Sequence, residues 1–258
     1  MELLLYALLG FVQGLTEFLP VSSSGHLILA QQWLGLNPPG VITEVTLHVA
    51  TLLSVVLVYR HDIVSIFRRG DWRYLCLLAV ATAVTVALVL PAHEAITALA
   101  DSAAAVRVTG AMLIITAGWL AFADWRLGRR NKQKKMGAWD AVVVGLAQAI
   151  AVLPGISRSG ATIGAAIQLG EERTAAARFS FLLSIPVIAG AGVLTISDLP
   201  LASFASPAFA WGLGIAFVTA LLAGVLAIHL VLKILKYARL SLFGAYCFVL
   251  GLVALAIG

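Results

Sequence analysis

Two short polar segments interrupt otherwise apolar stretches of this sequence, and their side chains could act on a phosphate. The first carries Glu17, Ser23 and His26, and the second carries Arg158 between two more serines. An arginine guanidinium suits phosphate oxygens because its donors form a planar fork. An imidazole titrates near neutral pH, so His26 could be a nucleophile, a general base or a general acid. A serine hydroxyl is the second nucleophile candidate.

Glu17 is a residue that a site for a lone anion would not contain. A divalent cation that bridges a carboxylate and a phosphate would explain its presence, so we expect such a cation. Gln13 lies four residues before Glu17, which gives the two side chains one shared helix face. Glu44 and His48 have the same spacing; they either line the same cavity or lie at the membrane interface.

The candidate residues have two roles. The catalytic candidates are Glu17, Ser23, His26 and Arg158, with His26 and Ser23 as alternative nucleophiles. The substrate-binding candidates share hydroxyl, amide or backbone N–H donors near the two breaks: Gln13, Ser22, Ser24, Ser157, Ser159, Gly160 and Thr162. Two simpler interpretations stay open. Arg158 could pair with Glu17 for structural reasons alone, and the serines could be helix caps only.

The composition places these residues in a membrane protein. Of 258 residues, 61% are apolar and 11% charged, and the mean hydropathy is +1.02. Ordinary soluble domains are about 25% charged, so soluble folds and disorder are excluded, and two cysteines exclude a disulfide scaffold. The apolar runs are continuous and too long for outer-membrane strands of about ten alternating residues. We therefore predict an all-α polytopic membrane protein with a single integral membrane domain.

Six segments are long and apolar enough to be transmembrane helices, which need about 20 residues. They are approximately residues 42–60, 74–91, 104–123, 176–196, 208–231 and 240–257. Two further apolar regions, 3–35 and 139–170, are broken at 19–25 and 153–160. The resulting pieces are half-length, so each region predicts a re-entrant helical hairpin whose turn is buried in protein or lines a watery cavity.

The distribution of basic residues favours this topology. With both hairpins re-entrant, 15 of the 17 Lys and Arg residues fall on one side of the membrane. If each hairpin crossed the membrane instead, these residues would divide 10 to 5. The positive-inside rule therefore makes the crowded side cytoplasmic. It also accounts for the net charge of +5 without a nucleic-acid partner.

The two broken regions match each other without a gap at an offset of 135 residues, which indicates an internal repeat. Each half, approximately 1–125 and 136–258, then holds one hairpin and three spans. Three is odd, so the second half is inserted upside down and the two polar tips meet within the membrane. Inverted repeats with broken helices also mark binding sites in transporters. A transporter or lipid flippase for a phosphorylated substrate is therefore the alternative to an enzyme.

The motifs in these breaks resemble those of the undecaprenyl-diphosphate phosphatase family of bacterial membranes, the bacitracin-resistance type. The first motif reads QGLTEFLPVSSSGHL from Gln13 to Leu27, and the second reads LPGISRSGAT from Leu153 to Thr162. The resemblance covers essentially the whole chain in length and span pattern. It implies removal of the terminal phosphate from a C55 polyprenyl diphosphate, which regenerates the lipid carrier for cell-wall precursors.

The resemblance also implies a cofactor, site residues and a location. The cofactor would be Mg²⁺ or Ca²⁺, with Glu17 and Gln13 as ligands; the family motif allows Glu or Gln at the position of Gln13. The residues implied as essential or supporting are Glu17, His26, Arg158, Gln13, Ser23 and Ser157. The expected partners are the lipid substrate and membrane lipids, with a homodimer as an open alternative. The expected location is the bacterial cytoplasmic (inner) membrane, with the site opening to the outer side.

Overall fold

A computed structural model describes residues 2–34, 40–127, 134–196, 207–237 and 239–258, and they fold almost entirely into α-helices. The helices of the first half are α1 (Glu2–Phe18), α2 (Ser23–Leu34), α3 (Gly40–Val58), α4 (Arg60–Arg69), α5 (Trp72–Val89), α6 (His93–Ala100) and α7 (Ala105–Leu127). Those of the second half are α8 (Ala138–Ile150), α9 (Arg158–Leu169), α10 (Arg173–Ile196), α11 (Pro207–Tyr237) and α12 (Ser241–Ile257). The described residues contain no β-strand, which confirms the all-α prediction.

Several helices are long and apolar enough to cross a membrane. Four such segments occur in the described part of the chain: Trp72–Ala100, Ala105–Arg126, Arg173–Val193 and Pro207–Tyr237. A fifth is the pair Ile42–Val58 and Arg60–Arg69, which bends by 63°. The protein is therefore a multi-pass membrane protein.

The remaining predicted span, residues 240–257, forms α12. This helix has 17 residues, somewhat fewer than the roughly 20 that span a bilayer, and it packs along α7. The first predicted span, 42–60, also differs from expectation because its helix bends at Tyr59 into the amphipathic α4, which ends with Arg68 and Arg69. The total of six spans stays a prediction.

The two broken regions form pairs of short helices, with breaks at the predicted sites. In the first break, Pro20 follows α1 and Ser22 adopts a left-handed conformation with φ of 70°. In the second, Pro154 is followed by Gly155, whose φ is 94°. A proline lacks the N–H that a continuing helix needs, and a left-handed residue reverses the chain. These local features end α1 and α8, and the new helices α2 and α9 begin after them.

Each pair of short helices packs against a long helix from the other half of the chain. The first helix of the first pair, α1, lies along α11, and the first helix of the second pair, α8, lies along α5. Glycines bring these backbones together: a Cβ on Gly14 would lie 2.3 Å from the Ala220 carbonyl oxygen, and one on Gly145 would lie 2.6 Å from that of Ala81. Small residues at helix contacts are typical of membrane proteins. This packing holds the two breaks next to each other.

Replacing Gly14 with alanine tests this close packing. The added methyl group has no space against α11, so we expect Gly14→Ala to cost about 1–3 kcal/mol of stability. The matched control is Gly118→Ala, because Gly118 is also helical and a Cβ there meets nothing within 4 Å. The control should keep or raise the melting temperature measured in detergent. Equal melting temperatures for the two variants would contradict the packing of α1 on α11.

Candidate active site

An open cavity of about 330 Å³ lies where the two breaks meet. Side chains from both breaks line it, together with residues of α3 and α10. The polar groups on its wall are Thr16, Glu17, Ser23, Ser24, Glu44, His48, Ser157 and Arg158. The rest of the wall is mainly apolar, with Val45 and Val49 on α3 and Ile188 on α10. The cavity thus combines a polar centre with apolar sides.

An ion pair between Glu17 and Arg158 joins the two breaks across the cavity wall. Arg158 Nη2 lies 2.6 Å from Glu17 Oε1, although the two residues are 141 positions apart in sequence. The side chain of Glu17 is only 6% exposed and that of Arg158 only 16%. In such a setting a lone charge would be costly, so each residue neutralises the other. The pairing that the sequence left open as a structural interpretation is therefore present, and it also forms part of the cavity.

The other carboxylate oxygen of Glu17 organises the first break. Glu17 Oε2 accepts a hydrogen bond from Ser23 Oγ at 2.6 Å and another from Gln13 Nε2 at 3.0 Å. The Gln13–Glu17 bond connects consecutive turns of α1, as their four-residue spacing predicts. The Ser23 hydroxyl is thereby directed at a carboxylate that could accept its proton.

Arg158 keeps hydrogen-bonding capacity beyond the ion pair. Its Nη1 is buried and has no hydrogen-bond partner within the described part of the chain. Guanidinium nitrogens are strong donors to phosphate oxygens. Because the Arg158 side chain also lines the cavity, it is a candidate to bind an anion there.

His26 lies at a different place from the other catalytic candidates. Its Nδ1 is 2.7 Å from the Ser22 carbonyl oxygen, and its Nε2 is 2.7 Å from the hydroxyl of Tyr246. The rings of His26 and Tyr246 are stacked, with centroids 5.6 Å apart. His26 is absent from the cavity wall. The two ring nitrogens of His26 are thus bonded by Ser22 and Tyr246 and not by Glu17.

Several predicted substrate-binding groups make hydrogen bonds that hold the two breaks in shape. Ser22 Oγ accepts from the Gly25 amide at 3.3 Å, and Ser157 Oγ accepts from the Gly160 amide at 3.1 Å. Ser157 is the N-cap of α9 and also lines the cavity. Ser22 and Ser157 are therefore capping residues, as one of the open interpretations proposed.

Other predicted binding residues lie behind the cavity wall. Ser159 Oγ donates to the Leu19 carbonyl oxygen at 2.9 Å, which ties the second break to the first. Thr162 Oγ1 donates to the Arg158 carbonyl at 2.8 Å and lies 2.6 Å from Ser180 Oγ. The residues on the wall do not include Gln13, Ser22, Ser159, Gly160 or Thr162, whereas Ser24 and Ser157 are part of it.

Residues of distant helices complete the site, and the motifs did not reveal them. Thr116 of α7 donates to the Gly155 carbonyl at 3.0 Å and accepts from the Ser157 amide at 3.2 Å. Tyr246 of α12 bonds His26. Both residues lie in apolar runs where a single hydroxyl gives little signal. Glu44 and His48, whose location the sequence left open, line the cavity.

The described residues contain no cluster of three or more His, Cys, Asp or Glu side chains that could hold a metal ion. The chain does offer Glu17 on the cavity wall and, next to it, the Gln13 Oε1 atom, which is buried and unbonded in the described structure. Mg²⁺ uses one or two protein oxygens together with substrate phosphates and water. This donor set fits a cation that arrives with a phosphorylated substrate.

Comparison with known proteins identifies the family. The sequence pattern of the family described as "Bacitracin resistance protein BacA" matches residues 6–253. The chain belongs to the BacA family. This match spans both breaks and includes all or part of each helix given above.

Curated relatives match the BacA-family chain over nearly its whole length. A protein of Halothermothrix orenii named undecaprenyl-diphosphatase is 38% identical over 256 residues, which cover 98% of this chain and 97% of the relative. Proteins of the same name from Desulforapulum autotrophicum and Desulfosudis oleivorans are 39% and 40% identical, and each alignment covers 100% of this chain and 99% of the relative.

The ion pair leads to a prediction about stability. We expect Glu17→Ala and Arg158→Ala each to lower the unfolding free energy by roughly 2–4 kcal/mol, because either change leaves a poorly hydrated charge without its partner. The double variant should lose less unfolding free energy than the sum of the losses in the two single variants. These values can be measured by denaturant unfolding in detergent.

The exposed ion pair between Arg178 and Asp62 is a matched control. Its atoms are also 2.6 Å apart, but the side chains are 40% and 37% exposed. Arg178→Ala should therefore cost less than about 1 kcal/mol. Strictly additive losses at Glu17 and Arg158 would show that the two side chains are not coupled.

Proposed function

We infer that this protein hydrolyses undecaprenyl diphosphate to undecaprenyl phosphate and inorganic phosphate, which recycles the lipid carrier for cell-wall synthesis. Membership in the BacA family and the names of its near-full-length relatives support this activity. The geometry supports it through one observation: Ser23 Oγ donates to Glu17, and Glu17 pairs with Arg158, on the wall of one cavity.

This arrangement favours an enzyme over a transporter. A transporter or flippase needs a site that binds and releases its substrate, but it needs no hydroxyl directed at a carboxylate. The Ser23–Glu17 hydrogen bond supplies a nucleophile and its proton acceptor, which is the local signature of covalent catalysis. The apolar sides of the cavity suit the first part of a prenyl chain, while the diphosphate would enter the polar centre.

We propose Ser23 rather than His26 as the nucleophile. Ser23 Oγ attacks the terminal phosphorus, its proton passes to Glu17, and the bond to the bridging oxygen breaks to release undecaprenyl phosphate. Water then attacks the phosphoserine, the bond between phosphorus and Oγ breaks, and Glu17 returns the proton to Ser23. Both hydrogens of the water leave with inorganic phosphate. Arg158 would hold the charge that develops on the transferred group.

The remaining candidate residues would support binding and shape. Ser24 and Ser157 line the cavity, and α2 and α9 begin beside it with their positive dipole ends. Gln13 and Glu17 would hold Mg²⁺ or Ca²⁺ through side-chain oxygens. When bound, the cation would neutralise phosphate charge and polarise the terminal phosphoryl group.

A phosphate-release assay tests the activity. The protein purified in detergent should release phosphate from undecaprenyl diphosphate in the presence of Mg²⁺, and a chelator should stop the release. Ser23→Ala should lower kcat by roughly a thousandfold or more if the hydroxyl is the nucleophile. Ser65→Ala, on α4 and outside the cavity, is the control and should keep the wild-type rate. Absence of phosphate release would reject the proposed activity, and release that persists in the chelator would reject the proposed cation.

We propose that the chain has six spans and two re-entrant hairpins in inverted repeats, approximately 1–125 and 136–258. The matching serine caps in the two breaks support this arrangement, as does the reciprocal packing of α1 on α11 and α8 on α5. The cavity wall uses the first half of α3 and the second half of α10. The opposite end of α10 carries Arg173 and Arg178, and Arg178 pairs there with Asp62 of α4, the helix that follows α3.

The positive-inside rule then implies a cavity that opens to the outer side of the cytoplasmic (inner) membrane. Cysteine labelling tests this orientation in a background without Cys76 and Cys247. A membrane-impermeant maleimide should label Glu94→Cys in intact spheroplasts but should label Arg69→Cys only after permeabilisation. Both positions are exposed and lie near opposite ends of the bundle. Labelling of both from the same side would contradict the proposed topology. The homodimer stays a prediction.

A further inference from the structure

Tyr246 and His26 form a contact that the proposed hydrolysis does not use directly. The carbonyl oxygen of Ser22 can only accept a hydrogen bond, so the His26 Nδ1 that lies 2.7 Å away carries the proton. In the neutral ring Nε2 is then an acceptor, and the Tyr246 hydroxyl, also 2.7 Å away, donates to it. The stacked rings fix the same arrangement. His26 is thus held between α12 and the backbone of the first break.

The backbone that His26 holds is unusual. Among the described residues, Ser22 is the one non-glycine residue with a positive φ, 70°. A Cβ makes this left-handed conformation unfavourable, so it persists where surrounding contacts stabilise it. The Ser22 carbonyl accepts from His26 Nδ1 and also from the His26 amide at 3.2 Å. Its hydroxyl caps the Gly25 amide at 3.3 Å.

The conformation of Ser22 determines where the next side chain points. Ser23 follows directly, and its hydroxyl lies 2.6 Å from Glu17 Oε2. A change of Ser22 to an extended or right-handed conformation would rotate the Ser23 side chain away from this carboxylate. The geometry of the Ser23–Glu17 hydrogen bond therefore depends on the hydrogen bonds that hold Ser22.

We propose that Tyr246 is a positioning residue that acts through His26: it fixes the imidazole, which holds the left-handed turn at Ser22 and so keeps the Ser23 hydroxyl on Glu17. His26 then serves the reaction through the backbone and without touching the phosphate. This inference rests on the proposed function of Ser23 as nucleophile. The absence of His26 from the cavity wall, where another imidazole, His48, is present, supports it.

Substitutions at His26 separate positioning from direct catalysis. The amide nitrogen of asparagine is as many bonds from Cβ as Nδ1 of histidine, so His26→Asn can still donate to the Ser22 carbonyl. The amide of glutamine reaches instead toward the position of Nε2. We expect His26→Asn to keep kcat within roughly tenfold of wild type and His26→Gln to lose roughly a hundredfold or more. Equal, severe losses in two folded variants would overturn the proposal, because neither amide can replace an imidazole in proton or phosphoryl transfer.

Removal of the Tyr246 hydroxyl tests the hydrogen bond between Tyr246 and His26. Tyr246→Phe keeps the stacked ring and should lower kcat roughly tenfold with less than about a twofold change in KM. Tyr237→Phe is the matched control, because Tyr237 is 85% exposed at the end of α11, and it should behave as wild type. A wild-type kcat for Tyr246→Phe would overturn the proposal.

Nitrogen NMR of histidine-labelled protein gives a readout that does not depend on activity. In the wild type the His26 signals, assigned by their loss in His26→Gln, should show a proton fixed on Nδ1. In Tyr246→Phe they should show a mixture of tautomers or faster exchange. An unchanged His26 spectrum in this variant would overturn the proposal even if hydrolysis is confirmed. If the protein shows the predicted spectral change but does not hydrolyse undecaprenyl diphosphate, the proposed function is rejected and the Tyr246–His26 contact is confirmed.

Discussion

One ion pair, between Glu17 and Arg158, joins the two broken regions of the chain at the centre of the helical bundle. Its residues come from opposite halves of the sequence, and both side chains are largely withdrawn from water. A charge in this position needs a partner, so neither break can move far from the other without exposing an unpaired ion to an apolar surrounding. The same pair lies on the cavity wall, where Glu17 also accepts a hydrogen bond from Ser23. The contact that holds the breaks together is thus the contact that prepares the site for a phosphate.

The helices around the pair act as its support. Each pair of short helices packs against a long helix from the other half of the chain. Glycines allow the backbones to approach at positions where any side chain would collide. Serine and threonine hydroxyls satisfy the backbone groups that the breaks leave free, as in the Ser157 cap and in the Thr116 bonds to the second break. Backbone groups cannot remain unbonded in an apolar environment, so an irregular turn among apolar helices requires such partners. This requirement explains why the breaks are rich in hydroxyls beyond the few that face the cavity.

The residues of the first motif are close together in sequence but have different roles in the structure. Ser22, Ser23 and Ser24 are consecutive, yet Ser22 caps the following turn, Ser23 bonds Glu17, and Ser24 lies on the cavity wall. The left-handed conformation of Ser22 separates these roles, because it turns neighbouring side chains in different directions. His26 belongs to the same motif but binds Tyr246, a residue of the last helix. A motif of this kind encodes a folded turn together with its reactive group.

The sequence by itself determined the helical membrane fold, the two breaks and the set of polar residues that lie at them. These follow from local properties: the length of apolar runs, proline and glycine at the breaks, and the scarcity of charge. It also raised the Glu17–Arg158 pairing as one interpretation, since charged residues are scarce in the two broken apolar regions. Only the tertiary structure decided that Ser23 and not His26 faces Glu17, that Glu44 and His48 line the cavity, and that Tyr246 holds His26. Those contacts depend on the rotation of each side chain about a turn and on residues more than 200 positions away, and neither is encoded in local pattern.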